Sequence, residues 1–266
     1  MAVAEEQRLR LWQGKVETQV LVRGSGPPLV FLHGPWGLRA DGPFIERLAR
    51  THTVYAPKHP GTTTSDPDAI YNLADWLDLL VYYGELFDKL SLRAPAVLGY
   101  SFGGMVACEL AAAMPERVGK LVLIDPIGLW RDEQPVTNWM ILPEDRCRQA
   151  LFADPAGEVA RGFFRLPDDR EARADAQADM TWSLACTGKF VWPIPDRGLA
   201  KRIHRISAPT LILWGQDDGV IAPAYAQDFA RPIPGARVER IAHTGHLPHL
   251  EQPERVAALV EEFLRA

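Results

Sequence analysis

Gly99-Tyr100-Ser101-Phe102-Gly103-Gly104 decides the fold. It follows an apolar run, 96–99, and opens a helix-forming stretch, 103–114, that stops before Pro115. A G-x-S-x-G placed between strand and helix predicts a sharp turn that lifts the serine clear of the sheet edge. The glycines two residues before and after Ser101 remove side chains that would collide as the strand doubles back. The helix beginning there aims its positive end at negative charge developing beside the serine. Ser101 is therefore the candidate nucleophile.

Outward from this turn, strands and helices alternate. Strands are expected at 9–12 and 16–22, joined as a hairpin at Gln13-Gly14, then at 29–32, 53–56, 96–99, 121–124, 210–214 and 237–241. Several are wholly apolar, the pattern of strands buried on both faces. Helices are expected at 44–50, 73–91, 103–114, 223–230 and 253–264. That at 73–91 carries Leu73, Trp76, Leu77, Leu80, Tyr83 and Phe87 on one side. The pattern predicts an α/β fold, an eight-stranded, mostly parallel sheet with helices on both faces. Residues 126–208 break the alternation and hold Trp130, Trp139, Trp182 and Trp192, four of the eight tryptophans. They read as a helical insertion after the sixth strand, a cap over the strand C-terminal edge, where open α/β sheets bind ligands. The core is then 1–125 and 209–266.

A serine nucleophile needs a base, and in this architecture the order is serine, acid, histidine. Ala242-His243-Thr244-Gly245-His246-Leu247-Pro248-His249 lies between the last strand and the last helix. His246, behind a glycine, is the favoured base, with His243 and His249 expected as surface or pocket-rim residues. The acid is expected after the penultimate strand, where Trp214-Gly215-Gln216-Asp217-Asp218 supplies two aspartates. One would accept the second N–H of the histidine and fix its tautomer. The other is a turn or cap residue.

Leu32-His33-Gly34, Gly-Tyr-Ser-Phe-Gly-Gly, Trp-Gly-Gln-Asp-Asp and Thr-Gly-His-Leu-Pro-His-Leu-Glu-Gln-Pro-Glu, in this order, resemble the α/β-hydrolase superfamily, and within it capped esterases, lactonases and carbon–carbon bond hydrolases. The resemblance covers both ends of the chain, about two thirds of it. It implies Ser101 as nucleophile, His246 as base and, through a Gly-x-x-Asp pattern, Asp218 as acid. Asp125, ending the strand before the insertion, is a position some members use instead. His33-Gly34 matches the oxyanion loop, whose next residue ordinarily donates its N–H. Here that residue is Pro35, which has none. The expected donors are therefore the N–H groups of Phe102 and Trp36. A second departure is Pro57-Lys58-His59-Pro60-Gly61-Thr62-Thr63-Thr64-Ser65-Asp66, read as altered loop packing without a catalytic part.

The chain has 266 residues, 47% hydrophobic and 24% charged, with 29 Lys and Arg against 34 Asp and Glu. This composition excludes collagen-like repeats and wholesale disorder. The net charge of −5 and scattered arginines speak against a nucleic-acid partner. Apolar runs such as 94–99 fall short of the ~20 residues that span a bilayer. The acidic N-terminal stretch lacks an apolar leader pattern, and Cys108, Cys147 and Cys186 have neither disulfide nor metal spacing. A cytoplasmic protein with buried free thiols, needing no metal or organic cofactor, is expected.

The expected partner is a small molecule, an apolar or aromatic ester or lactone cleaved through an acyl-enzyme, with Pro35, Trp139, Trp182, Trp192 and Leu247 lining the pocket. Two alternatives differ in class. A carbon–carbon hydrolase of vinylogous diketones uses the same residues, but such relatives carry tryptophan where Leu247 stands. A non-enzymatic ligand receptor on this fold would bind tightly and barely turn over.

Overall fold

The computed structural model describes residues 5–62, 66–192 and 196–266. The strands are β1 (Glu5–Leu11), β2 (Val16–Arg23), β3 (Pro28–Leu32), β4 (Thr53–Pro57), β5 (Ala96–Tyr100), β6 (Lys120–Ile124), β7 (Thr210–Gly215) and β8 (Arg237–Ile241). They form one eight-stranded sheet in the order β1-β2-β4-β3-β5-β6-β7-β8. β2 pairs antiparallel with β1 and β4, and every other pair is parallel. Apart from the partly buried Ala96, the apolar residues of β5, β6 and β7 are buried, as a covered parallel sheet requires.

The helices are α1 (Gly42–Leu48), α2 (Trp76–Lys89), α3 (Phe102–Ala113), α4 (Glu144–Leu151), α5 (Glu158–Phe164), α6 (Arg170–Val191), α7 (Tyr225–Ala230), α8 (Pro248–Glu251) and α9 (Pro253–Arg265). α3 packs on β3, β5 and β6, and α2 lies against it; α9 reaches β7 and packs on α1. α3 is apolar on nearly all sides and almost wholly buried. Its one charged residue, Glu109, is matched by Arg202, whose Nε and Nη2 donate to the carboxylate at 2.8 and 2.6 Å.

Several boundaries differ from expectation by a few residues, two of them for clear local reasons. The helix expected from residue 73 starts at Trp76, because Asp75 accepts the N–H of Asp78 at 3.1 Å and caps it. Trp12 belongs to the hairpin turn rather than to a strand, with φ of 56°, followed by 57° at Gln13 and 84° at Gly14.

Between β6 and β7 the chain forms α4, α5 and α6. This stretch lies on loops that leave the C-terminal ends of the strands. Arg39, after β3, donates to the carbonyls of Phe163 and Arg165 at 2.8 and 2.7 Å. Gly61, after β4, accepts the Cys186 thiol at 3.0 Å, and Gly219, after β7, donates to Ala150 at 3.1 Å. All three cysteines are free and buried. Among the described residues no helix is long and apolar enough to cross a membrane.

Candidate active site

β5 ends at Tyr100 and α3 begins at Phe102, so Ser101 alone makes the corner, at φ 50° and ψ −117°. A serine there is strained, and the surroundings hold it. Its N–H donates to Ile124 at 3.0 Å, and its carbonyl accepts from Met105 and Ile127 at 3.1 and 3.2 Å. A Cβ on Gly99 would sit 2.2 Å from the Gly103 carbonyl, and one on Gly103 would sit 2.0 Å from that of Leu32. Both glycines are thus required by the close approach of backbone to backbone.

The structure brings Ser101, His246 and Asp218 together. His246 Nε2 lies 2.9 Å from Ser101 Oγ, and His246 Nδ1 lies 2.9 Å from Asp218 Oδ2. A proton on Nδ1 leaves Nε2 free to accept the serine hydroxyl. Asp218 Oδ1 accepts the backbone N–H groups of Val220 and Ile221 at 2.8 and 2.9 Å, so its loop aims the carboxylate. Asp217 is exposed and contributes its N–H to Thr244 instead.

Asp125 stands at the end of β6 with φ of 42°. Its Oδ1 accepts the Gly215 N–H at 2.9 Å. One ligand atom each from Asp125, Asp218 and His246 lies within 4.8 Å of the others, the one group among the described residues close enough to hold a cation. Both ring nitrogens of His246 are already engaged, so a cation would have to displace one of those bonds.

The loop that begins at His33-Gly34 rests on buried imidazoles. His33 Nδ1 donates to Gly34 at 2.6 Å, and its Nε2 accepts the His59 N–H at 3.1 Å. His59 Nε2 donates to the His33 carbonyl at 2.7 Å, and its Nδ1 accepts the Tyr83 hydroxyl. Burial lowers His33 well below its ordinary value, with His59 adding to the effect, and burial lowers His59 to about 4. Both rings are neutral near pH 7. His59 also packs edge-on against Phe102, with centroids 4.9 Å apart. The loop expected to carry only altered packing therefore packs against the residue that follows Ser101; Thr63, Thr64 and Ser65 within it lie outside the described residues. Neither the Phe102 nor the Trp36 N–H has an acceptor among the described residues, which leaves both donors open.

A cavity of about 460 Å³ reaches this loop. One wall is apolar, with Trp36, Leu38, Phe163 and Met180, while Arg39, Lys58, Asp175, Asp179 and Ser183 are among its polar and charged members. The Ser183 hydroxyl is buried and without a hydrogen-bond partner among the described residues. None of the five expected pocket residues lines it. Pro35 and Leu247 are buried beside Trp36 and His246 in the chain. Trp139 is buried with its ring 6.2 Å from that of Trp36, and Trp182 packs partly buried on the core. Trp192 departs furthest: it is 50% exposed, along a surface groove with Met140, Leu184 and Gly188. It follows the C-terminal end of α6, where that helix has passed the elbow and Phe190 stacks on Phe102.

A second buried cluster corrects the expectation for His249, which is fully buried rather than at the surface or pocket rim. Asp41 accepts from the Tyr100 hydroxyl at 3.1 Å and from His249 Nε2 at 3.2 Å. The Tyr100 ring fills the space a Cβ on Gly34 would need, at 2.4 Å. The chain around Gly34, the corner at Ser101 and the loop holding His249 are thus tied together. The only signal available was the chemistry of His249 and Asp41 themselves, since nothing local pairs residues so distant.

Residues 29–259 match the model of the alpha/beta hydrolase family. The chain is 29% identical over 261 residues to a pimeloyl-[acyl-carrier protein] methyl ester esterase of Aromatoleum aromaticum, covering 90% of this chain and 98% of that one. It is 28% identical to a 2-hydroxymuconate semialdehyde hydrolase of Pseudomonas putida, covering 95% and 88%. In fold it resembles naproxen esterase of Bacillus subtilis, with TM-score 0.78, 19% identity and coverage of 99% and 92%. It likewise resembles a meta-cleavage product hydrolase of Pseudomonas fluorescens, with TM-score 0.79, 21% identity and 97% of each chain covered. The chain belongs to the alpha/beta hydrolase family.

Proposed function

We propose that this hydrolase cleaves a carboxylic ester or lactone of an apolar or aromatic small molecule through an acyl-enzyme. The observation that carries the reading is the pair of 2.9 Å hydrogen bonds linking Ser101 to His246 and His246 to Asp218. As the Ser101 oxygen bonds to the carbonyl carbon, His246 Nε2 takes its proton and Asp218 balances the imidazolium. The carbonyl oxygen, now an oxyanion, is held by the open N–H groups of Phe102 and Trp36. Collapse expels the alcohol, which receives the proton from His246. A water then gives a proton to His246, attacks the acyl carbon and releases the acid with Ser101 restored.

The cavity beside Trp36 suits the apolar body of the substrate, and the free Ser183 hydroxyl suits a polar atom upon it. Ser101 and His246 are fully buried, so residues 126–208 act as a cap that opens to admit substrate. The relative named as a methyl ester esterase supports ester chemistry. The reading is tested with p-nitrophenyl esters of graded acyl length, wild type beside Ser101→Ala. Turnover abolished in the variant is the expected result; a folded wild type inert on every ester overturns it. Hydrolysis of a vinylogous diketone is the second reading, favoured by the likeness to the semialdehyde hydrolase, and the same pair of proteins tests it.

A further inference from the structure

We propose that Asp125 is a positioning residue that holds a proton: a neutral carboxylic acid whose O–H donates to the Asp218 carboxylate, keeping one negative charge behind His246. Only the kinetic arm of its test rests on the hydrolase reading.

The argument begins with charge. Asp125 is fully buried and Asp218 nearly so, and their carboxylates share a space of 4.8 Å with His246. No Lys or Arg forms an ion pair with either acid among the described residues. Beside Asp125 stand Asp218 on the loop after β7, His246 on the loop after β8 and Glu251 on α8, so the added charges are negative. Two ionised carboxylates there would lie in low dielectric with no Lys or Arg to balance them. One proton is therefore retained, as in other close carboxylate pairs.

Hydrogen bonds decide which acid keeps it. Asp218 accepts three donors: the N–H groups of Val220 and Ile221 and His246 Nδ1–H. Asp125 accepts one, from Gly215, and its Oδ2 is buried without any partner. Donors stabilise the ionised form, so Asp218 carries the charge and Asp125 the proton. Placed on Oδ2, that proton ends the isolation of a buried polar atom. Burial, reinforced by the Asp218 charge, pushes Asp125 well above the usual carboxylate range. The arrangement also stops Asp218 from taking the His246 proton, because its basicity is spent on four donors.

The variant is Asp125→Asn. Its amide keeps an oxygen for the Gly215 N–H and an N–H for Asp218, tolerates the left-handed φ, and leaves the charge of the site unchanged. The expected result is an acid limb of the kcat/KM profile within about half a pH unit of wild type, with kcat lowered no more than about tenfold. Were Asp125 ionised, removing its charge would lower the His246 pKa and carry the limb to lower pH by a unit or more, which overturns the proposal. Loss of activity as complete as in Asp218→Asn also overturns it. Infrared spectroscopy gives a reading without turnover. At neutral pH, Ser101→Ala should show a protonated-carboxyl stretch that is lost in Ser101→Ala/Asp125→Asn; no difference between the two overturns the proposal. If no ester is hydrolysed by any form, the hydrolase reading fails while the infrared result still decides Asp125.

Discussion

The carbonyl of Leu151, at the end of α4, accepts the backbone N–H of His246 at 2.8 Å. The insertion thus supplies part of the scaffold that holds the proposed base. Gly245 makes the contact possible, since a Cβ there would lie 2.4 Å from the same carbonyl. Gly245→Ala should push the histidine loop off α4 while leaving Ser101, His246 and Asp218 in place chemically. The expected outcome is a folded protein whose kcat falls by about 10²-fold, the scale of a displacement near 1 Å. Steady-state kinetics with circular dichroism checks it; wild-type kcat would mean that the loop yields without consequence.

Asp218→Asn should lower kcat by about 10⁴-fold, because an amide at that position favours the wrong histidine tautomer. KM should change little, since Asp218 lies behind the imidazole rather than against substrate. If Asp125→Asn produced the larger loss instead, the assignment of the acid would move to the end of β6.

What was legible in the sequence was chemistry confined to one turn. Ser101 between two glycines, His246 behind Gly245 and Asp218 after a buried strand each carry their meaning within a few neighbours. The helix start at Trp76 was displaced by a side-chain cap at Asp75, which competes with apolar periodicity and is easily read as one more polar residue. His59 and Asp41 were beyond reach for another reason. Their partners, Tyr83 and His249, are brought to them by the sheet order, and no spacing announces such pairs. Trp192 shows the converse, since an aromatic within a cap says nothing about which side of its helix faces the cavity.

Stability should fall with acid through the buried imidazoles of His59 and His33. Unfolded, His59 takes up a proton near 6.5; folded, it does so only near 4. Between these values the unfolded chain binds more protons, so stability is full above 6.5 and is lost as pH falls towards 4, by about 3 kcal/mol. His33, also lowered, acts in the same sense. Asp125, raised, acts in the opposite sense, so comparison with a variant isolates the histidine. Urea midpoints measured between pH 7 and 5 should decline more steeply in wild type than in His59→Gln. Parallel declines would assign the acid sensitivity elsewhere.

Glu109 is 1% exposed inside α3, and Arg202 is its bidentate partner. Breaking a buried pair costs about 3–5 kcal/mol, because the remaining charge has no partner. Arg202 is 39% exposed, so water solvates part of the site, and Arg202→Met should cost about 2 kcal/mol. Glu109→Gln/Arg202→Met should recover most of the loss, since neither charge then remains. Chemical denaturation of the single and double variants provides the comparison, and an additive double variant would contradict the pairing.

Pro35 follows His33-Gly34 in the proposed oxyanion loop and has no N–H, and Pro35→Gly tests which donors serve there. Glycine restores an N–H beside His33-Gly34 but releases the fixed φ that proline imposes. If the Phe102 and Trp36 N–H groups already hold the oxyanion, the new donor adds nothing, and the looser loop lowers kcat a few-fold at unchanged KM. An incomplete hole gives the opposite result, because one added donor is worth about 10²–10³ in rate. Single-turnover acylation of Pro35→Gly beside wild type separates the outcomes. A gain of that size would remove Trp36 from the proposed mechanism and leave Phe102 as its one donor in the native loop.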